Sequence, residues 1–184
     1  MAPLVIFWIL LLASPQVDSK FKSLHCNSFD LDYGEFLLCK IQAINRYRNS
    51  ISISFLNKNT VRSHLTVRLE FFKRANGWRP FLYNITVNVC DFLDRNKTKP
   101  TNNNRVIFRL AAAYLIPYIT RSYSCPFMGN TVLKLVKLEF DVEKFRTRFP
   151  IETGEYALQF SLYHKKILRY TVNGSMEYSN YREH

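Results

Sequence analysis

Glycine and proline are scarce in this 184-residue chain, with 5 and 7 copies, which excludes collagen-like and low-complexity architectures. Acidic residues are also few. Asp and Glu total 14 against 26 Lys and Arg, a formal net charge of +12. That imbalance favours acidic partners or anionic surfaces and says nothing about the fold. No HExxH, GxSxG or phosphate-loop pattern is present. The 4 histidines, His25, His64, His164 and His184, are scattered. Carboxylate pairs such as Asp30/Asp32 and Glu152/Glu155 sit in apparent turns, so no catalytic residue is assigned and enzymatic activity is not expected. Beyond the N-terminus no apolar run is long enough to span a bilayer; the longest, residues 110–119, is interrupted by Pro117.

What is present begins with an apolar run at residues 4–13 of secretory length, followed by small residues that permit a cut after Ser19, with Ser14 as a second option. The run has no Lys or Arg before it. We therefore read residues 1–19 as a signal peptide, residues 20–184 as one domain, and the product as secreted and extracellular. Cysteine usage fits that compartment. Cys26, Cys39, Cys90 and Cys125 are an even set, which in a secreted chain predicts two disulfides. Three pairings are possible, and Cys26–Cys39 with Cys90–Cys125 is favoured because each closes the shorter loop. The spacings match no zinc pattern, so neither metal nor cofactor is expected. Sequons at Asn84, Asn96 and Asn173 mark candidate glycan positions.

Hydrophobic periodicity is mostly two. Ile51, Ile53 and Phe55 alternate with serines, and Leu65, Val67, Leu69 and Phe71 with polar residues. After the Ala75-Asn76-Gly77 turn signal, Phe81, Tyr83, Ile85, Val87 and Val89 share a face, with Asn84, Thr86 and Asn88 opposite. Tyr156, Leu158, Phe160 and Leu162 alternate again, His164-Lys165-Lys166 reads as a hairpin turn, and Leu168, Tyr170 and Val172 return. Residues 36–44 and 131–140 are two less regular strand candidates. Residues 105–116 differ: Ile107, Leu110, Ala111, Tyr114 and Leu115 form an amphipathic helical stripe that Pro117 should end. The fold class expected is all-β, an antiparallel two-sheet sandwich with one helical insertion between Cys90 and Cys125.

The aromatic content is high, with 15 Phe, 11 Tyr and 2 Trp. It suits a filled core as well as a sandwich splayed around an apolar cavity, because pockets and cores use the same side chains. On the second reading the wall is Ile51, Ile53, Phe55, Leu65, Val67, Leu69, Tyr83, Ile85, Val87, Tyr156, Leu158 and Phe160, with Leu110, Ala111 and Tyr114 on the helix as a lid.

Three segments carry a family resemblance: residues 72–90, FKRANGWRPFLYNITVNVC; Ser124-Cys125-Pro126-Phe127; and Phe149-Pro150 followed by Thr153-Gly154-Glu155-Tyr156. Together with Cys26 and Cys39 about a strand, they resemble the insect family called domain of unknown function 1091. That family is similar to MD-2-related lipid-recognition proteins, ganglioside-activator-like carriers and chemosensory proteins of the B type. The resemblance implies a secreted, non-enzymatic sandwich that holds a lipid or pheromone-like molecule between its sheets. It supplies no ligand-contact motif. The alternative is an interaction protein with a filled core, acting through its basic surface on a receptor, an acidic glycan or an anionic membrane. The basic residues fall into two sets, one from Arg46 to Arg79 and one from Lys134 to Arg148. Nucleic acid is not an expected partner.

Overall fold

The computed structural model describes residues 17–90, 109, 112–119, 125–141 and 152–180. Two antiparallel sheets face each other. The larger has five strands in the order β1-β8-β7-β4-β5: β1 (Val17–Ser28), β4 (Leu65–Ala75), β5 (Gly77–Asn88), β7 (Gly154–His164) and β8 (Ile167–Asn180). The smaller has three, β2 (Gly34–Ala43), β3 (Asn49–Asn57) and β6 (Thr131–Leu138), in the order β2-β3-β6. The expected two-sheet, nearly all-β architecture is what the chain adopts.

Alternation decides the faces. Val67 pairs with Val87 and Leu162, and Leu69 with Ile85 and Phe160, so the apolar rows of β4, β5 and β7 coincide on the inner side. In the small sheet Phe36 pairs with Phe55, Cys39 and Leu135 flank Ile53, and Ile41 and Leu138 flank Ile51. The serines of β3 lie on the opposite face as expected, yet Ser50, Ser52 and Ser54 are buried. They occupy the middle strand of three, between longer neighbours such as Gln42, Lys40 and Lys134. Ser52 donates to Gln42 Oε1 at 3.2 Å and accepts from the Lys137 amide at 3.1 Å. Period two reports a face, not its exposure.

β1 was not evident in the sequence. Its pairing with β8 shifts register between Phe21 and Ser23, which breaks the alternation. The strand includes Val17–Ser19, so a cut after Ser19 would remove its first three residues and a cut after Ser14 would leave it whole. Of the expected helix, residues 112–115 form a helical turn that tightens into a 3-10 turn at Ile116–Tyr118, where Pro117 stands. Ile107, Leu110 and Ala111 lie outside the described residues. Among the described residues no helix is long and apolar enough to cross a membrane.

The disulfides are Cys26–Cys39 and Cys90–Cys125. The first joins β1 to β2. The second joins the residue pair just past β5 to the segment leading into β6. Both therefore tie outer strands of one sheet to outer strands of the other, one on each flank. Glycine is required at two turns. Gly77 closes the β4–β5 hairpin at φ +107°, and a Cβ on Gly34 would lie 2.5 Å from the Phe55 ring.

Two outcomes follow for stability. Replacing the Cys90–Cys125 pair by serines should cost about 4 kcal/mol and the Cys26–Cys39 pair about 3, by closure of loops spanning 35 and 13 residues; urea titration measures both. Ile85 is fully buried and Leu158 is 37% exposed although both face inward. Ile85→Ala should cost about 3 kcal/mol and Leu158→Ala less than about 1 in the same titration. Equal losses would contradict the graded interior described next.

Candidate ligand site between the sheets

The interior is packed unevenly from end to end. At the end where β7 turns into β8, the buried cluster is Tyr33, Phe55, Val61, Leu65, Val67, Leu69, Ile85, Val87 and Leu162. Aromatic rings plug it. Phe55 lies 4.4 Å from Tyr170 and 5.0 Å from Phe36, and Phe36 meets Tyr170 edge-on at 5.3 Å. Outside the plug, the Arg169 guanidinium stacks 4.9 Å over Tyr33 and pairs with Asp30. Burial pushes the Tyr33 hydroxyl up to about 12. His164, 5.6 Å from Tyr33, is held below its ordinary value by burial, then by Arg169, Lys165 and His64. Val61 and Phe127 exchange backbone hydrogen bonds of 2.8 Å and tie the loop before β6 across this end.

The opposite end carries the β4–β5 hairpin, the start of β7 and the end of β8. Here Phe71, Phe81, Tyr156, Leu158 and Met176 continue the inward rows short of full burial, while Tyr178 at the end of β8 and the Ile51–Leu138 pair of the small sheet are buried. Leu158 faces the same way as Phe160 and Leu162 but is 37% exposed, where Leu162 is 5%. The three-stranded sheet is two strands narrower than the larger one, about 10 Å across the strands at the usual spacing. Phe81 and Tyr156 meet at 5.3 Å, with Lys73 Nζ 5.9 Å from each ring. The Tyr156 hydroxyl donates to the Glu152 carbonyl at 2.8 Å, and burial raises its pKa. Among the described residues this end is a mouth of partly exposed apolar side chains, rimmed by Lys73 and Glu152.

The expected wall residues divide along that gradient. Phe55, Leu65, Val67, Leu69, Ile85 and Val87 form the sealed half, with Phe160 packed against it. Ile51 is buried outside that cluster, and Ile53 is half-buried beside it in β3. Tyr156 and Leu158 stand at the mouth. Leu110 and the side chain of Tyr83 lie outside the described residues. Tyr114 is placed at the mouth end as well. Its hydroxyl donates to the Glu139 carbonyl at 3.0 Å and accepts from the Asp141 amide at 2.6 Å, which anchors the helical turn to the end of β6. Its burial raises the pKa to about 12.

Sequence reasoning missed Phe71, Phe81 and Lys73 as members of this site. Phe71 and Phe81 were on the correct faces, and the shared face with Tyr156 was the available signal. Of the sequons, Asn84 is exposed on the outer face, whereas the Asn173 Oδ1 is enclosed within β8. Asn96 lies outside the described residues. Many surface cations are paired: Lys22 with Glu177, Arg48 with Glu139, Lys58 with Glu35 and Arg68 with Glu70. Among the described residues no cluster of His, Cys, Asp or Glu could hold a metal ion.

A solved structure of a Niemann-Pick type C2 protein from the Japanese carpenter ant is similar at 14% identity and a TM-score of 0.32, covering 89% of this chain and 93% of that one. No curated protein matches the sequence. Residues 67–158, half of the chain, match the model of the family described as protein of unknown function (DUF1091). That span takes in β4, β5, the Cys90–Cys125 insertion and the mouth residues Phe71, Lys73, Phe81 and Tyr156, and the chain belongs to this family.

Proposed function

We propose that the protein is a non-enzymatic carrier of an apolar small molecule, a lipid or pheromone-like compound, which it holds between its two sheets with the apolar part entering at the mouth. The observation that carries this reading is the row of inward-facing side chains, Phe71, Phe81, Tyr156 and Leu158, left partly bare at one end of a sandwich whose other end is plugged. Partly bare apolar surface inside a fold is held there at a cost unless something covers it. An apolar tail lying on these rings gains roughly 0.8 kcal/mol per methylene removed from water. Loss of the ligand's freedom offsets a share of that. No group in the site is required to break or form a bond.

Export suits this role. The apolar N-terminal run, the two disulfides and the exposed sequon at Asn84 are consistent with an extracellular, glycosylated carrier, and chemosensory transport is one setting for it. A second reading has one observation in its favour. At the hairpin tip Trp78 is 41% exposed, with the Arg74 guanidinium 5.2 Å over its ring. On that reading the tip meets a receptor or an anionic surface.

Titration with a dansyl-labelled fatty acid separates the two. Uptake should be saturable, and Leu158→Trp, which fills the mouth, should weaken it at least tenfold with the circular dichroism unchanged. Uptake unaffected by Leu158→Trp, or no uptake by the unaltered chain, would overturn the carrier reading.

A further inference from the structure

The mouth of the sandwich carries a charge arrangement that the fold alone does not explain. Along β4 the inward row runs Leu65, Val67, Leu69, Phe71 and then Lys73. Lys73 pairs directly with Tyr156 on one side and with Arg79 of β5 on the other. Residues directly opposite one another in an antiparallel pair project from the same face, with Cβ atoms about 5 Å apart. Two cations are therefore set side by side at the rim, and like charges in this relation destabilise a sheet. Arg79 is exposed, and among the described residues no ion pair holds it. Lys73 pairs with Glu152, a carboxylate whose side chain is 83% exposed. A pair that open to water is weak and exchangeable. One loosely held carboxylate thus serves Lys73, while Arg79 stands across the β4–β5 pair from it, beside Phe71, Phe81, Tyr156 and Leu158.

A register irregularity puts them there. The β4–β5 ladder pairs Glu70 with Asn84 but Phe72 with Pro80, so Phe81–Tyr83 form a bulge opposite Phe71. The bulge keeps Phe81 near Tyr156 while bringing Arg79 level with Lys73. Bulges of this kind re-aim side chains at sites.

We infer that the ligand is an amphiphile with one anionic head, of the fatty-acid class, its carboxylate held at the rim by Lys73 and Arg79 and its tail running inward over the mouth residues. The head takes the place of Glu152 on Lys73 and neutralises the unpaired Arg79. This inference rests on the carrier reading and adds the charge of the ligand to it.

The test compares dodecanoic acid, dodecanol and acetate as competitors for the dansyl-labelled fatty acid, on the full exported chain. The acid should bind about tenfold tighter than the alcohol, as expected of a charge-assisted contact at a partly exposed site, and acetate should not compete. In the double variant Lys73→Gln/Arg79→Gln that preference should shrink to near unity. Without ligand, Arg79→Gln should melt at or above the temperature of the unaltered chain, because a repulsion is relieved; a merely structural arginine would lower it. Equal binding of acid and alcohol by the unaltered chain, or a preference that survives the double variant, overturns the inference and leaves the carrier reading standing. Binding of neither compound sinks the carrier reading itself. Capture by anionic vesicles with no competition from monomeric dodecanoic acid would assign the cations to a membrane headgroup and also overturn the inference.

Discussion

Two sulfur–sulfur bonds hold the flanks of the sandwich. β1 and β5 are the edges of the large sheet, and β2 and β6 those of the small one. Cys26–Cys39 ties the first pair of edges, and Cys90–Cys125 ties the second through the residues next to β5 and β6. Sheets fastened on both sides cannot slide apart laterally, so variation in how tightly they pack is confined to the two ends. Each bond also removes freedom from the unfolded chain, about 3 to 4 kcal/mol by loop closure.

The two ends then diverge for chemical reasons. Where β7 turns into β8, large rings from both sheets interlock, and the Asp30–Arg169–Tyr33 stack closes the exit. At the hairpin end the same alternating rows are less completely covered, and Leu158 is 37% exposed. There the rows of β4, β5 and β7 finish in Lys73, Arg79, Phe81 and Tyr156, while Tyr178, Ile51 and Leu138 stay buried. One continuous inner face is therefore core over part of its length, and on the proposed function the remainder receives the ligand.

The strand pattern was legible in the sequence because Ile51/Ile53/Phe55, Leu65–Phe71 and Tyr156–Leu162 alternate without interruption, and the shorter disulfide loops were the ones formed. β1 was hidden by its bulge near Phe21, and by lying against a leader-like run. The second half of β8, through Asn173-Gly174-Ser175, is too polar to signal a strand; pairing on both sides makes it one. The gradient inside the sandwich was not legible at all. Leu158 and Leu162 look identical in an alternating pattern, yet Leu158 pairs with Gly174 of β8 and is 37% exposed, where Leu162 pairs with Tyr170 and is 5% exposed. The Lys73–Arg79 adjacency was equally invisible, since it depends on extra residues in β5 that no periodicity rule places.

On the proposed function, the hairpin end of the interior is a receptive apolar surface rather than a frayed part of a filled core. Native mass spectrometry of the chain recovered from a lipid-containing expression medium tests it most directly. The account predicts a discrete adduct of one small apolar molecule per chain, released on denaturation and identifiable by its fragments. A bare chain under every condition, with the lipids of the medium present in excess, would contradict it.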